Sequence, residues 1–76
     1  MLFLLQVGKC LLRDQLKRKK LTQLQLAEIL NVHEQTINKY VNNRSVMTLQ
    51  TAKNIAYILD CSIDDLYIWE QVSDPE

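Results

Sequence analysis

Residues 21–41 have the sequence LTQLQLAEILNVHEQTINKYV, and this stretch decides the fold. Its start carries a capping box, in which the hydroxyl of Thr22 and the side chain of Gln25 each accept a hydrogen bond from the other residue's backbone N–H. The leucines on either side of the cap have the spacing of a hydrophobic staple. The pattern therefore predicts a helix that begins at Gln23.

The same stretch predicts where this helix ends and where a second helix begins. Asn31 ends the first helix, because Asn tolerates the left-handed conformation better than most residues. His33 is the expected N-cap of a second helix over residues 34–41, with Val32 and Ile37 in staple relation. The side chains expected to face inward are Leu26, Ala27, Ile29 and Leu30 in the first helix and Ile37, Tyr40 and Val41 in the second.

Two short helices joined by so tight a turn predict a helix-turn-helix unit. Ala27 is small where the second helix has to approach the first closely, and Asn31 supplies the conformation of the turn. This geometry projects the second helix outward, where it fits the major groove of B-DNA, about 12 Å wide.

Length and composition limit the rest of the chain to one small helical domain. The 76 residues leave room for a single core. One glycine and one proline supply almost none of the turn chemistry of β-hairpins, so an all-α domain is expected. One histidine, two cysteines and no glycine-rich loop leave few ways to build a catalytic, metal or cofactor site. We therefore expect no enzyme, no cofactor and no bound metal.

Three further helices are predicted around the helix-turn-helix unit. Apolar spacing predicts a first helix over residues 9–19. Thr48 caps a later helix, and Ser62 caps the last one, whose first turn carries two aspartates. Helix capping is favoured over metal binding for those carboxylates, since no other ligand is near. The inward residues of the helix after Thr48 are expected to be Leu49, Ala52, Ile55, Ala56 and Leu59.

The two ends of the chain are predicted to lie apart from this helical unit. Gly8 would cost about 1 kcal/mol inside a helix, so residues 1–7 are expected to be extended or loosely helical. Residues 72–76 are expected to fray. The predicted division is an apolar extension at 1–8, a helix-turn-helix domain at 9–70 and a tail at 71–76. The apolar start is far shorter than the ~20 residues that span a bilayer, and it lacks the pattern of a signal peptide. We expect a cytoplasmic protein with two reduced cysteines and no membrane partner.

The zero net charge hides a strong separation of charge along the sequence. Residues 1–44 hold eight basic and three acidic side chains, a net charge of +5. The remaining residues hold one basic and six acidic side chains, a net charge of −5. Local clusters of Lys and Arg are what phosphate contacts require, so the first half could face a polyanion. The basic run at residues 17–20 has an equally good explanation as a solvated helix C-terminus.

At this point the chain resembles the Cro/repressor-type (Xre-like) helix-turn-helix family over residues 9–70. The resemblance implies a compact five-helix, lambda-repressor-like fold, whose second and third helices read DNA and whose members usually bind operators as dimers. It is carried by Leu21-Thr22-Gln23, Leu26-Ala27, Asn31-Val32, Ile37, Asn42, Arg44, Leu49, Ile55-Ala56, Leu59 and Ser62-Ile63-Asp64-Asp65-Leu66-Tyr67.

Transferred position by position, the resemblance implies two groups of DNA contacts. The residues expected to face base edges are Glu34, Gln35, Asn38 and Lys39. Those expected to contact phosphates are Gln23, His33, Thr36, Asn42, Asn43 and Arg44. The chemistry agrees, because Gln and Asn can pair with adenine, Lys with guanine, and Glu can accept from cytosine.

Four positions depart from the family's usual pattern. Asn31 and Asn43 stand where the family usually has Gly, which Asn replaces at modest strain. His33 replaces the usual Ser or Thr cap, and Val41 stands where an acid is common.

The predicted function is sequence-specific binding of a double-stranded DNA operator by a transcriptional regulator, in the form of a small bacterial or phage-type repressor. A homodimer is expected, and no small-molecule substrate. One alternative is a protein-interaction module that uses the helix at 34–41 to bind a partner protein, which the neutral net charge and Glu34 would suit. The other is an antitoxin-like regulator that binds both DNA and a toxin.

Overall fold

The computed structural model of the chain describes residues 3–73 and contains four α-helices, one 3₁₀ helix and two strands. The predicted features at residues 1–2 and 74–76 lie outside the described residues. The elements are β1 (Phe3–Cys10), α1 (Leu12–Lys19), α2 (Gln23–Leu30), α3 (Glu34–Val41), α4 (Leu49–Ile58), the 3₁₀ helix (Ile63–Leu66) and β2 (Tyr67–Ser73).

The helix-turn-helix unit forms as the local signals predict. The backbone N–H of Gln25 donates to Thr22 Oγ1 at 3.0 Å, and that of Thr22 donates to Gln25 Oε1 at 2.9 Å. Asn31 follows α2 with φ 58° and ψ 46°, a left-handed conformation. The N–H of Val32 donates to the Ala27 carbonyl at 3.0 Å, which closes the helix end and turns the chain into α3.

The left-handed backbone at Asn31 gives a stability prediction. We expect Asn31→Val to lower the free energy of unfolding by about 1–2 kcal/mol, because a β-branched residue is strained at positive φ. Asn31→Gly is the matched control and should stay within about 1 kcal/mol of the wild type. Urea denaturation followed by circular dichroism measures both variants, and equal stability of the Val variant would contradict this conformation of the turn.

The expectation of an all-α, five-helix domain is wrong, because the two ends of the described chain form a small sheet. Strands β1 and β2 pair antiparallel, with Leu5 opposite Gln71 and Val7 opposite Trp69. The predicted first helix at 9–19 is therefore too long, and α1 begins only at Leu12. The pairing partners are about sixty residues apart in the sequence, so no turn between them announces the sheet. The predicted division at residues 8/9 and 70/71 stays a prediction, although each strand runs across one of these boundaries.

The structure explains the glycine at position 8 by its place in the sheet, and not by the end of a helix. The pairing shifts between Val7 and Cys10, so that Gly8 and Lys9 lie opposite the single residue Ile68. A Cβ atom on Gly8 would lie 2.8 Å from the carbonyl oxygen of Ile68. Glycine therefore allows strand β2 to approach closely at the bulge.

The segment after α4 also differs from the predicted fifth α-helix. Ser62 caps a single 3₁₀ turn, where its N–H donates to Asp65 Oδ2 at 3.0 Å. This hydrogen bond, together with that from the Ser62 hydroxyl, lowers the pKa of the Asp65 carboxyl. The chain then enters β2, so Val72 and Ser73 belong to a strand, in contrast to the frayed tail that was expected.

One apolar core holds the helices and the near ends of both strands. The phenol oxygen of Tyr67 accepts a hydrogen bond from the Met47 N–H at 3.1 Å, which fixes the loop before α4 to strand β2. Both cysteines are free, with Cys10 buried and Cys61 partly buried. Burial raises the pKa of both thiols. The buried residues are Cys10, Leu12, Leu16, Leu26, Ala27, Ile37, Val41, Met47, Ala52, Ile55, Ala56, Leu59, Leu66 and Tyr67.

Two residues expected to face inward are exposed instead. Ile29 is 56% exposed, because it lies roughly 60° around α2 from Leu26, on the side away from Ala27. Leu49 is 77% exposed, because it stands in the first turn of α4 at the edge of an open groove.

Candidate nucleic-acid interface

Helix α3 presents a polar face to solvent and anchors itself by its opposite side. Ile37 is fully buried and Val41 nearly so. Because these two residues fix the rotation of the helix about its axis, the positions on its opposite side point away from the core. All four side chains predicted to read bases are exposed on this helix: Glu34, Gln35, Asn38 and Lys39.

A row of hydrogen-bonded amides joins α2 to the outer face of α3. Asn38 Nδ2 donates to Gln23 Oε1 at 3.3 Å, across the two helices. Asn42 Nδ2 donates to Asn38 Oδ1 and to the Asn38 carbonyl oxygen, both at 3.0 Å. The row thus connects the predicted base-reading residue Asn38 with two predicted phosphate contacts, a link that sequence analysis did not anticipate.

This row reduces the number of hydrogen-bond donors and acceptors that the Asn38 side chain can offer to a base. A carboxamide has two N–H donors and two acceptor lone pairs, and one of each is already used. A bidentate contact with adenine needs one N–H and one lone pair, which Asn38 still has, while its bonds to Gln23 and Asn42 fix the orientation of its amide.

The loop after α3 is fixed to strand β1 by the side chain of Asn43. Asn43 has φ 60°, a left-handed conformation that Asn tolerates better than most residues. Its Oδ1 accepts a hydrogen bond from the backbone N–H of Cys10 at 2.8 Å. The N–H of Arg44 donates to the Lys39 carbonyl at 2.8 Å, which closes the end of α3. The loop is thereby held in place, with the Arg44 side chain exposed.

The two remaining predicted phosphate contacts lie at the start of α3. His33 is exposed and has the extended backbone of an N-cap, with φ −71° and ψ 145°, but its side chain makes no capping hydrogen bond. Thr36 is half-buried and lines a small cavity of about 100 Å³ together with Val32 and Tyr40. Thr36 is therefore less available to a phosphate than His33.

The basic run at residues 17–20 is partly used within the fold. Arg18 Nη2 donates to the Leu59 carbonyl at 2.8 Å, and its Nε donates to Gln15 Oε1 at 2.8 Å. Lys19 Nζ lies 3.8 Å from Asp60 Oδ2. These contacts join the end of α1 to the segment after α4, so Arg18 and Lys19 already have partners within the fold.

The comparisons with known proteins agree with this geometry. A family model described as Helix-turn-helix matches residues 12–66. The chain belongs to the helix-turn-helix family. A relative is the SPbeta prophage-derived uncharacterized HTH-type transcriptional regulator YopS of Bacillus subtilis strain 168, to which this helix-turn-helix protein is 38% identical over 65 residues. The match covers 82% of this chain and 85% of the relative.

The match to the helix-turn-helix family has clear structural limits. It begins at Leu12, the first residue of α1, and ends at Leu66, the last residue of the 3₁₀ helix. Both strands lie outside it. The sheet is therefore an addition to the part of the fold that the family model describes.

Two further properties concern the part of the chain that the structure describes. None of its helices has the length and apolar character needed to cross a bilayer. Residues 3–73 also contain no group of three or more His, Cys, Asp or Glu side chains that could hold a metal ion.

Proposed function

We propose that this chain is a sequence-specific, double-stranded DNA-binding transcriptional regulator, a small repressor of bacterial or phage type that acts in the cytoplasm. The observation that carries the proposal is the exposed polar face of α3, on a helix whose rotation is fixed by buried Ile37 and Val41. A helix held in this way can enter the major groove with its side chains already aimed. Occupation of a promoter would then exclude the transcription machinery.

The proposed contacts fall into two groups, those that read bases and those that position the protein on the phosphate backbone. Gln35 would pair with adenine and Lys39 with guanine, while Asn38 acts from within its amide row. Arg44 and the loop asparagines would hold phosphates at the rim of the groove, as would Gln23 and His33. Glu34 is the least favourable of the proposed base-reading residues, since its charge repels nearby phosphates unless a cytosine N4 amino group lies opposite.

The comparison supports the regulatory part of the proposal. The relative YopS is named as a prophage-derived, uncharacterized HTH-type transcriptional regulator. A similar role for this chain is consistent with the match along most of both sequences.

We also propose that the functional form is a homodimer that uses one face of the sheet. One recognition helix covers only a few base pairs, and dimers bind two half-sites about 34–36 Å apart. Leu5, Val7 and Trp69 lie on the same face of the sheet. Leu5 and Val7 are two residues apart on one strand, and Trp69 lies directly opposite Val7 on the other. This face continues into an apolar groove of about 200 Å³ that also includes Val46 and Leu49. Exposed apolar surface of this kind is typical of an interface.

The experiment that tests DNA binding is a measurement of affinity for random duplexes at several salt concentrations. We expect binding at low ionic strength whose logarithm falls linearly with the logarithm of salt concentration. Failure to bind duplexes at low salt would contradict the proposal and favour the protein-interaction alternative. A toxin partner, the antitoxin-like alternative, would be detected by co-purification from the source cell.

Arg44 gives a separate prediction about phosphate contacts. We expect Arg44→Ala to weaken binding to every duplex to a similar degree and to reduce the salt slope by about one unit, because one phosphate contact is lost. Competition binding on random and selected duplexes measures both quantities. A change restricted to the selected sequence would mean that Arg44 reads a base.

A further inference from the structure

A polar groove lies between strand β1, the start of α1 and the loop after α3. It has a volume of about 230 Å³ and no residue proposed to read bases lines it. The residues around it are Lys9, Cys10, Arg13, Asp14, Val41, Asn42 and Asn43. Three separate elements therefore bring their polar side chains to one place, beside the loop that is proposed to hold DNA phosphates.

The charge of this groove is positive. Lys9 and Arg13 are both exposed, and within residues 3–73 neither forms an ion pair. Asp14 is the one acidic side chain in the lining. In contrast to Arg18 and Lys19, which are engaged at the other end of α1, these two cations have no partner in the described fold that would compete with a ligand.

The hydrogen bond from Cys10 to Asn43 sets the orientation of a neutral donor in the same groove. Because Oδ1 of Asn43 accepts from the Cys10 N–H at 2.8 Å, the Nδ2 group of the same amide is left to donate elsewhere. No described residue accepts a hydrogen bond from this nitrogen. Two cations and an oriented N–H donor are the groups that bind a phosphate oxygen.

We propose that this groove binds a phosphodiester group of the DNA backbone, with Lys9 and Arg13 as its cationic ligands and Asn43 Nδ2 as a third donor. The proposal rests on the proposed function, since it adds ligands for the same duplex. It also gives the end of strand β1 a role in DNA binding, although β1 lies outside the helix-turn-helix match. A contact here lies beyond the C-terminal end of α3, next to Asn42, so it would fix how far the helix is inserted along the groove.

The test uses Lys9→Ala, Arg13→Ala and Asp14→Asn in the full chain. We expect each alanine variant to bind random and selected duplexes about fivefold more weakly near 0.1 M salt, with a salt slope smaller by about one unit. Asp14→Asn should bind both duplexes more tightly, because it removes a charge that repels the phosphate. A gain of affinity cannot result from unfolding, so this variant keeps the proposal testable even if an alanine variant is unstable.

Lys53→Ala is the matched control for the two alanine variants, since Lys53 is exposed on α4 and its loss changes the net charge by the same amount. If the wild type binds duplexes but the three groove variants behave like Lys53→Ala, the groove proposal is overturned and the proposed function stands. If the wild type binds no duplex at low salt, both fail.

A free phosphate ion offers the same chemistry as the backbone, and a second arm separates the two. Inorganic phosphate replaces chloride at constant ionic strength in the binding assay. Because free phosphate competes with the duplex for the groove, we expect the wild type to lose more affinity for DNA than Arg13→Ala does. An equal loss in both proteins, together with an unchanged affinity of Arg13→Ala for DNA in chloride, would mean that the groove does not contact the duplex, and it would overturn the proposal.

Discussion

Replacing Leu5 with Lys should convert a dimer into a monomer and lower the affinity for the operator by at least about 100-fold, because the second half-site no longer adds its binding energy. Leu5 is 69% exposed and lies on the sheet face that continues into the apolar groove. A buried lysine without a partner is costly in an apolar interface. The added positive charge by itself would favour DNA binding, so a loss of affinity has to come from lost assembly. Sedimentation equilibrium and operator binding measure the two effects.

Tyr57→Lys is the control for this prediction. Tyr57 is 85% exposed on α4, outside the sheet, and the substitution adds the same charge. It should remain a dimer and bind the operator at least as tightly as the wild type. A wild-type chain that sediments with the 8.9 kDa mass of a monomer at high concentration, or a dimeric Leu5→Lys, would contradict the proposed interface.

The second large effect concerns the reading face of α3. Gln35→Ala and Lys39→Ala should each cost about 1–3 kcal/mol on the best operator and little on random DNA, because a base contact stabilises only the matching sequence. The two residues are one helical turn apart and both exposed, so both can point into the groove together. Competition binding at several salt concentrations gives the ratio of specific to random affinity.

Two substitutions on α4 serve as matched controls for these variants. Gln50→Ala and Lys53→Ala remove the same side-chain types from exposed positions of another helix. They should leave the ratio of specific to random binding unchanged. An unchanged ratio for Gln35→Ala and Lys39→Ala as well would mean that this face of α3 does not read bases.

The helix-turn-helix unit was predictable from the sequence because all of its signals are local. The Thr22 capping box, the left-handed Asn31 and the N-cap at His33 lie within twelve residues and place α2 and α3 at the predicted positions. Each of them concerns the chain's own neighbours and needs no knowledge of the tertiary structure.

The sheet could not be predicted in the same way. The whole helical unit lies between the two strands in the sequence, so no turn residue marks their pairing. From the sequence alone, Gly8 is equally well explained as a helix breaker and as part of a β-bulge. The prediction that residues 1–7 are extended or loosely helical was therefore the most that local signals allow.

The candidate site was predictable only in part, for a similar reason. The exposure of Gln35 and Lys39 follows from the helical spacing of Ile37 and Val41. The amide row through Asn38 depends instead on how closely α2 and α3 cross, and the bond between Cys10 and Asn43 joins residues 33 positions apart. Such contacts are properties of the packed fold.

Selection of bound sites from a pool of random duplexes, carried out in parallel with the wild type and Gln35→Ala, tests most directly whether α3 reads DNA sequence. We expect the wild type to enrich one motif with two related half-sites. Gln35→Ala should enrich the same motif with the preference relaxed at one base pair in each half-site. A wild-type pool that stays random, or the same motif with unchanged preferences for Gln35→Ala, would contradict base reading by this residue of α3.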